Sequence, residues 1–136
     1  MNRIPWDDIL RTGHAEIDAE HMELVGLFNQ LSDAVEQEKA KNVCGGILDA
    51  IIDYTASHFT LEAELMKKHR YPKRAQHNIE HARLIKQAQN YRDKFESDPP
   101  GTHIELIQFP EDWLTFHIVT SDKELGGFLA KQESAR

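Results

Sequence analysis

The sequence predicts an all-α protein, an antiparallel up-down-up-down four-helix bundle entered by an N-terminal arm. Three observations point to it. Apolar residues recur at steps of three and four over four separate stretches, each about 20 residues long. The breaks between stretches are short and polar or carry proline, as connections between neighbouring antiparallel helices do. A length of 136 residues favours one compact domain, with no internal repeat and no low-complexity tract.

Residues 1–17 read as the arm, because Pro5 and Gly13 interrupt any helical pattern and Trp6 gives the segment something to bury. Asp18 is the expected N-cap of a first helix over 19–38, whose apolar face is Leu24, Val25, Leu27, Phe28, Leu31, Ala34 and Val35. His21 lies one turn before that face. After the polar stretch Lys39–Asn42 a second helix is expected over 43–68, despite Gly45 and Gly46 near its start. Its apolar line is Ile47, Ile51, Tyr54, Leu61 and Leu65, and His58 and Glu62, four residues apart, border it.

Pro72 can open a third helix over 73–96, with His77, His81, Leu84, Ile85, Ala88, Tyr91 and Phe95 on one face. Ser97–Gly101 is a loop by composition. The fourth helix, over 102–121, is broadly apolar and contains Pro110, which removes a backbone donor and should kink it. His117 and Asp122 are five residues apart, roughly 140° around a regular helix, so they converge only if the helix loosens there. Ser121, Gly126 and Gly127 would permit this. Leu125–Leu129 is expected to pack back on the bundle, with 130–136 frayed.

The net charge of -7 argues against a nucleic-acid partner, which calls for a basic patch. The single cysteine, Cys44, excludes an internal disulfide, fits a reducing, cytoplasmic setting, and reads as a small packing residue. The first residues lack the apolar core of a signal peptide, and no apolar run approaches the roughly 20 residues of a membrane span. His14, His69 and His103 match no motif and read as surface residues, and Lys67–Arg70 reads as a solvated turn.

Eight histidines are the unusual feature, and their placement matters more than their number. A single histidine on a packing face is more often a hydrogen-bonded core residue than a ligand. Here every helix brings ligand-type residues to its packing face: His21; His58 and Glu62; His77 and His81; His117 and Asp122. Five imidazoles and two carboxylates inside a small bundle require a cation among them. If two octahedral metals share both carboxylates and one solvent-derived bridge, the five histidines fill all but one remaining position. Imidazole and carboxylate together suit iron, whereas zinc prefers four-coordinate sites.

The chain resembles the hemerythrins, specifically the single-domain bacteriohemerythrins, over nearly its whole length. The resemblance is carried by Trp6, Gly13 and Ile17–His21; by His58-Phe59 with Glu62; by Met66, Tyr71-Pro72, His77 and His81; and by Trp113-Leu114, His117-Ile118 and Asp122. Pro110 departs from it. The resemblance implies two non-haem iron ions per chain, bridged by Glu62, Asp122 and an oxo or hydroxo group. His77, His81 and His117 would hold the saturated iron, and His21 and His58 the iron with an open position. It further implies that Trp6, Phe59, Trp113, Leu114 and Ile118 line an oxygen pocket and exclude water.

The function expected is reversible oxygen binding, for carriage, storage or delivery to an oxygen-consuming recipient protein, and not catalysis. Di-iron carboxylate bundles that activate oxygen draw on more carboxylates, including Glu-x-x-His pairs. Five neutral imidazoles with two carboxylates favour stopping at reversible binding. A di-iron peroxidase or oxidase, oxygen or nitric oxide sensing, and iron handling are the alternatives for the same pocket. Glu20 either orients a ligand histidine or is a solvated surface residue.

Overall fold

A computed structural model describes residues 10–97 and 115–134. The expectations for Trp6, Pro110, Trp113 and Leu114, and for the start of the fourth helix, fall outside the described residues, as does His103. Helix α1 spans Ala15–Glu36, α2 Lys41–Lys68 and α3 Arg74–Ser97. A π-helical turn, Ile118–Asp122, then runs directly into α4, Lys123–Ser134. Together these segments form the four-helix bundle, with no strand among the described residues.

Helix α1 starts earlier than expected, and Asp18 is not its cap. His14 takes that place, its Nδ1 accepting the Ile17 N–H at 3.3 Å. Asp18 lies in the first turn and accepts from the arm instead, from the Thr12 N–H and the Thr12 hydroxyl, both at 2.8 Å. α1 and α2 end alike. Glu38 (φ 54°) and Arg70 (φ 55°) adopt the left-handed conformation just past each helix. The next N–H groups, of Lys39 and Tyr71, return to the Ala34 and Met66 carbonyls at 2.9 Å. These reversals turn the chain within a few residues, which makes α1/α2 and α2/α3 antiparallel neighbours.

The core face of α2 is rotated from the expected line. Cys44, Leu48, Ile51, Thr55, His58, Phe59, Glu62 and Met66 are buried, whereas Ile47, Tyr54, Leu61 and Leu65 are only partly so. Apolarity alone understates this face, because Thr, Cys, His and Glu hold its centre. His58 and Glu62 therefore sit in the middle of the packing face and not beside it. Leu10, Leu24, Phe28, Leu48, Ile51, Phe95 and Ile118 belong to the main core cluster.

The last helix does not end near 121. Leu125 and Leu129, four residues apart, are fully buried against a second cluster with Ile17, Met66 and Tyr71. That burial carries the helix through Gly126 and Gly127 to Ser134 against the low propensity of glycine, which costs about 1 kcal/mol per residue.

Candidate metal centre

Seven side chains from all four helices meet in the core: His21 from α1, His58 and Glu62 from α2, His77 and His81 from α3, His117 just before the π turn and Asp122 at its last position. None is more than 5% exposed. On α2 and α3 the i, i+4 spacing stacks His58 over Glu62 and His77 over His81. The fourth helix needs the π turn. At roughly 4.4 residues per turn, five residues advance about 50° past a full turn instead of 140°, which brings His117 and Asp122 to one side. His117 Nε2 lies 3.1 Å from Asp122 Oδ1.

The two oxygens of each carboxylate face different histidines. Glu62 Oε1 lies 2.9 Å from His77 Nε2 and 3.0 Å from His81 Nε2. Glu62 Oε2 lies 2.7 Å from His58 Nε2 and 3.7 Å from His21 Nε2. Asp122 Oδ1 lies 3.2 Å from His77 Nε2 and 3.1 Å from His117 Nε2, while Oδ2 lies 2.9 Å from His21 Nε2. Two donor sets result, His77, His81 and His117 on one side and His21 and His58 on the other. Glu62 and Asp122 belong to both, and within each set the donor atoms lie within 4.8 Å of one another.

These residues fit metal ions. The Nε2 atoms of His21, His58, His81 and His117, Glu62 Oε2 and both Asp122 oxygens are buried without a hydrogen-bond partner, though they crowd one another. A buried polar atom left so costs about 1–3 kcal/mol. Ligands at adjacent positions of an octahedron with bonds of about 2.1 Å lie roughly 3.0 Å apart, the spacing seen here.

The opposite edges of two rings are held by carboxylates on neighbouring helices. His58 Nδ1 donates to Glu20 Oε1 at 2.7 Å, and His117 Nδ1 donates to Glu80 Oε1 at 2.5 Å. Ser121 Oγ, inside the π turn, donates to both Glu80 oxygens, at 2.8 and 3.0 Å. With Nδ1 of each ring committed to an outer carboxylate, Nε2 is the atom left facing inward. This answers the open reading of Glu20 and adds Glu80, which the sequence reading missed. A signal existed. Glu20 precedes His21 and Glu80 precedes His81, so each glutamate stands beside a cluster histidine in sequence yet holds one on another helix.

Without metal, the cluster is strongly self-polarised. Burial disfavours the charged form of His21, His77, His81 and His117. At His21 and His77, the close approach and negative charge of Asp122 and Glu62 outweigh that burial and raise the pKa to about 9. At His117, burial is outweighed by Asp122, Glu80 and Glu62, and the pKa rises to about 10. His81 moves down, since burial dominates and His77 and His117 add repulsion. Burial would raise both carboxylates, but the surrounding imidazoles hold Glu62 and Asp122 below their ordinary range.

Phe59 walls one side of the cluster, stacked on His81 at 3.7 Å between ring centres with the planes 2° apart, and 5.7 Å from the His117 ring. Ile118 is fully buried in the same core cluster. A polar cleft of about 120 Å³ reaches His77 from outside, lined by Tyr71, Gln76, Glu80 and Ser121, with the Lys73–Glu124 ion pair along it. Cys44 is buried away from the cluster, and its thiol is pushed up by burial, so it is neither a ligand nor a reactive nucleophile.

Comparison with known proteins matches residues 12–129 to the Hemerythrin HHE cation binding domain. A bacteriohemerythrin of Stenotrophomonas maltophilia is 32% identical over 123 residues, covering 90% of this chain and 79% of that protein. One from Methylococcus capsulatus is 31% identical over 113 residues, covering 83% and 86%. Crystal structures of hemerythrin point mutants superpose with a TM-score of 0.84 at 28% identity, covering 95% of this chain and 98% of theirs.

Proposed function

Because the chain belongs to the hemerythrin family, which binds oxygen at a di-iron site, we propose that it binds dioxygen reversibly at an iron pair held by its seven clustered side chains. The observation that carries this reading is the division of each carboxylate between two histidine sets. His77, His81 and His117 would hold one iron and His21 and His58 the other, with Glu62 and Asp122 offering an oxygen to each side. Iron, when bound there, would supply the electrons for reversible oxygen uptake. The protein supplies asymmetry, since three imidazoles on one side and two on the other leave the His21/His58 side one protein donor short.

Glu20 and Glu80 orient His58 and His117 through their Nδ1–H groups, so each Nε2 faces inward before metal arrives. Phe59 and Ile118 keep water from the interior, where an unpaired charge would be costly. The family generally binds oxygen without acting as an enzyme, and we extend that to this chain. Oxygen is then the partner, with carriage, storage or delivery the role. No helix among the described residues is long and apolar enough to cross a membrane. We place the protein in the cytoplasm on the strength of its single, buried cysteine.

The test is the absorption spectrum of the reduced, iron-loaded protein before air, after air and after argon. A charge-transfer band that appears with air and leaves under argon is expected. A band that never forms, or one that argon cannot remove, refutes reversible binding. Steady turnover of peroxide with a reductant would favour the peroxidase reading instead.

A further inference from the structure

We propose that Thr12 and Gly126 form a brace that sets the distance between α1 and the fourth helix at the level where His21 meets Asp122, which makes both of them positioning residues for the metal pair. This rests on the reading of the site given above. α1 and the fourth helix are not sequence neighbours, yet His21 Nε2 and Asp122 Oδ2 must meet at 2.9 Å. Among the described residues, His21 is the imidazole against that oxygen.

One end of the brace is tied to α1. Thr12 is buried, and both its N–H and its hydroxyl donate to Asp18 Oδ1 at 2.8 Å. Its Oγ also accepts the His14 N–H at 3.2 Å. Gly13, at φ 94°, turns the chain between them, a conformation other residues adopt only with strain. Asp18 stands one turn before His21 on the same helix.

The other end rests on the fourth helix. Gly126 lies four residues, one turn, after Asp122. A Cβ there would sit 2.6 Å from Thr12 Cβ and 2.8 Å from the Thr12 carbonyl carbon, and would press on the carbonyl oxygen. Ordinary carbon contacts are about 3.5–4.0 Å, so one added methyl must part the arm and the helix by roughly 1 Å. A binding constellation tolerates about 0.5 Å. The neighbouring Gly127 has nothing within 4 Å of such a Cβ, so its substitution adds the same methyl without the push. The half of the site served by His21 and His58 has the fewer protein donors and is the one this contact governs.

The experiment compares wild type, Gly126→Ala, Gly127→Ala and Asp18→Ala, each reconstituted with iron(II) or cobalt(II). Metal per chain, the cobalt absorption spectrum and far-ultraviolet circular dichroism are read together. Wild type and Gly127→Ala are expected to hold about two ions per chain. Gly126→Ala and Asp18→Ala are expected to fall towards one, with an altered cobalt spectrum and unchanged helix content. Asp18→Ala loosens the same brace without adding bulk, so it decides the matter if Gly126→Ala does not fold. Full metal content and an unchanged spectrum in the folded variants would overturn the brace, as would an equal loss in Gly127→Ala. Fewer than two ions in wild type would instead overturn the reading of the site.

Discussion

Replacing Glu80 by alanine tests how far the metal centre depends on groups that never touch metal. Glu80 accepts the Nδ1–H of His117 at 2.5 Å and the Ser121 hydroxyl at 2.8 Å, so it both aims the ring and ties the π turn to α3. A hydrogen bond to a charged group is worth about 1.5–3 kcal/mol. Partners of this kind typically change metal affinity 10- to 100-fold, about 1.4–2.7 kcal/mol, so the two scales agree. The Glu80 side chain is 31% exposed, and water can replace part of what is lost, which favours the lower end, about 10- to 30-fold. Glu80→Gln keeps an acceptor but not the charge and should lose less. The assay is competition for metal with a chromophoric chelator at fixed pH. Affinity within twofold of wild type for Glu80→Ala, in a folded protein, would refute the idea that the carboxylate prepares His117. Glu20→Ala, acting on His58, should show a loss of the same order confined to the other donor set.

The remaining predictions concern pH, packing and a helix end. In the metal-free protein His21 and His77 titrate near 9 and His117 near 10, above the ordinary 6.5. Their contribution to stability is therefore complete below about pH 6.5 and is lost as pH rises through about 9 to 10, so metal-free melting temperature should fall across that window; a flat profile would contradict it. Metal uptake near neutral pH must displace those protons, so acidification of a weakly buffered solution should accompany binding and affinity should rise with pH. Phe59→Ala removes the ring stacked on His81 and should cost about 3–5 kcal/mol by denaturant unfolding, with faster decay of the oxygenated spectrum per iron; unchanged decay would place the protective wall elsewhere. Glu38→Gly relieves a left-handed residue at the exposed end of α1 and should stabilise by about 1 kcal/mol while leaving metal content alone, as thermal melting with metal analysis can check.

Periodicity and residue chemistry were enough to predict an all-helical bundle and to single out His21, His58, Glu62, His77, His81, His117 and Asp122, which the structure brings together in one core. They sufficed because the i, i+4 spacing of His58/Glu62 and His77/His81 depends on one helix alone. Residues whose roles depend on a second helix were harder to read. Glu20 and Glu80 look like ordinary partly exposed acids until α1 is set against α2 and α3 against the π turn, because sequence gives rotation about one axis and not the register between two. Asp18 reads as a helix cap, yet the path of the arm makes it the acceptor for Thr12.

The convergence of His117 and Asp122 was a conflict in the sequence, five residues on a helix that ought to separate them. Only the folded chain resolves it, through a π turn that lets both side chains face the same space. Likewise the fourth helix was expected to end near 121, with Gly126 and Gly127 helping it to loosen there, and the low helix propensity of glycine agrees. Burial of Leu125 and Leu129 against Ile17, Met66 and Tyr71 outweighs it, because tertiary packing returns more free energy than two glycines cost, and no single stretch of sequence contains both sides of that contact.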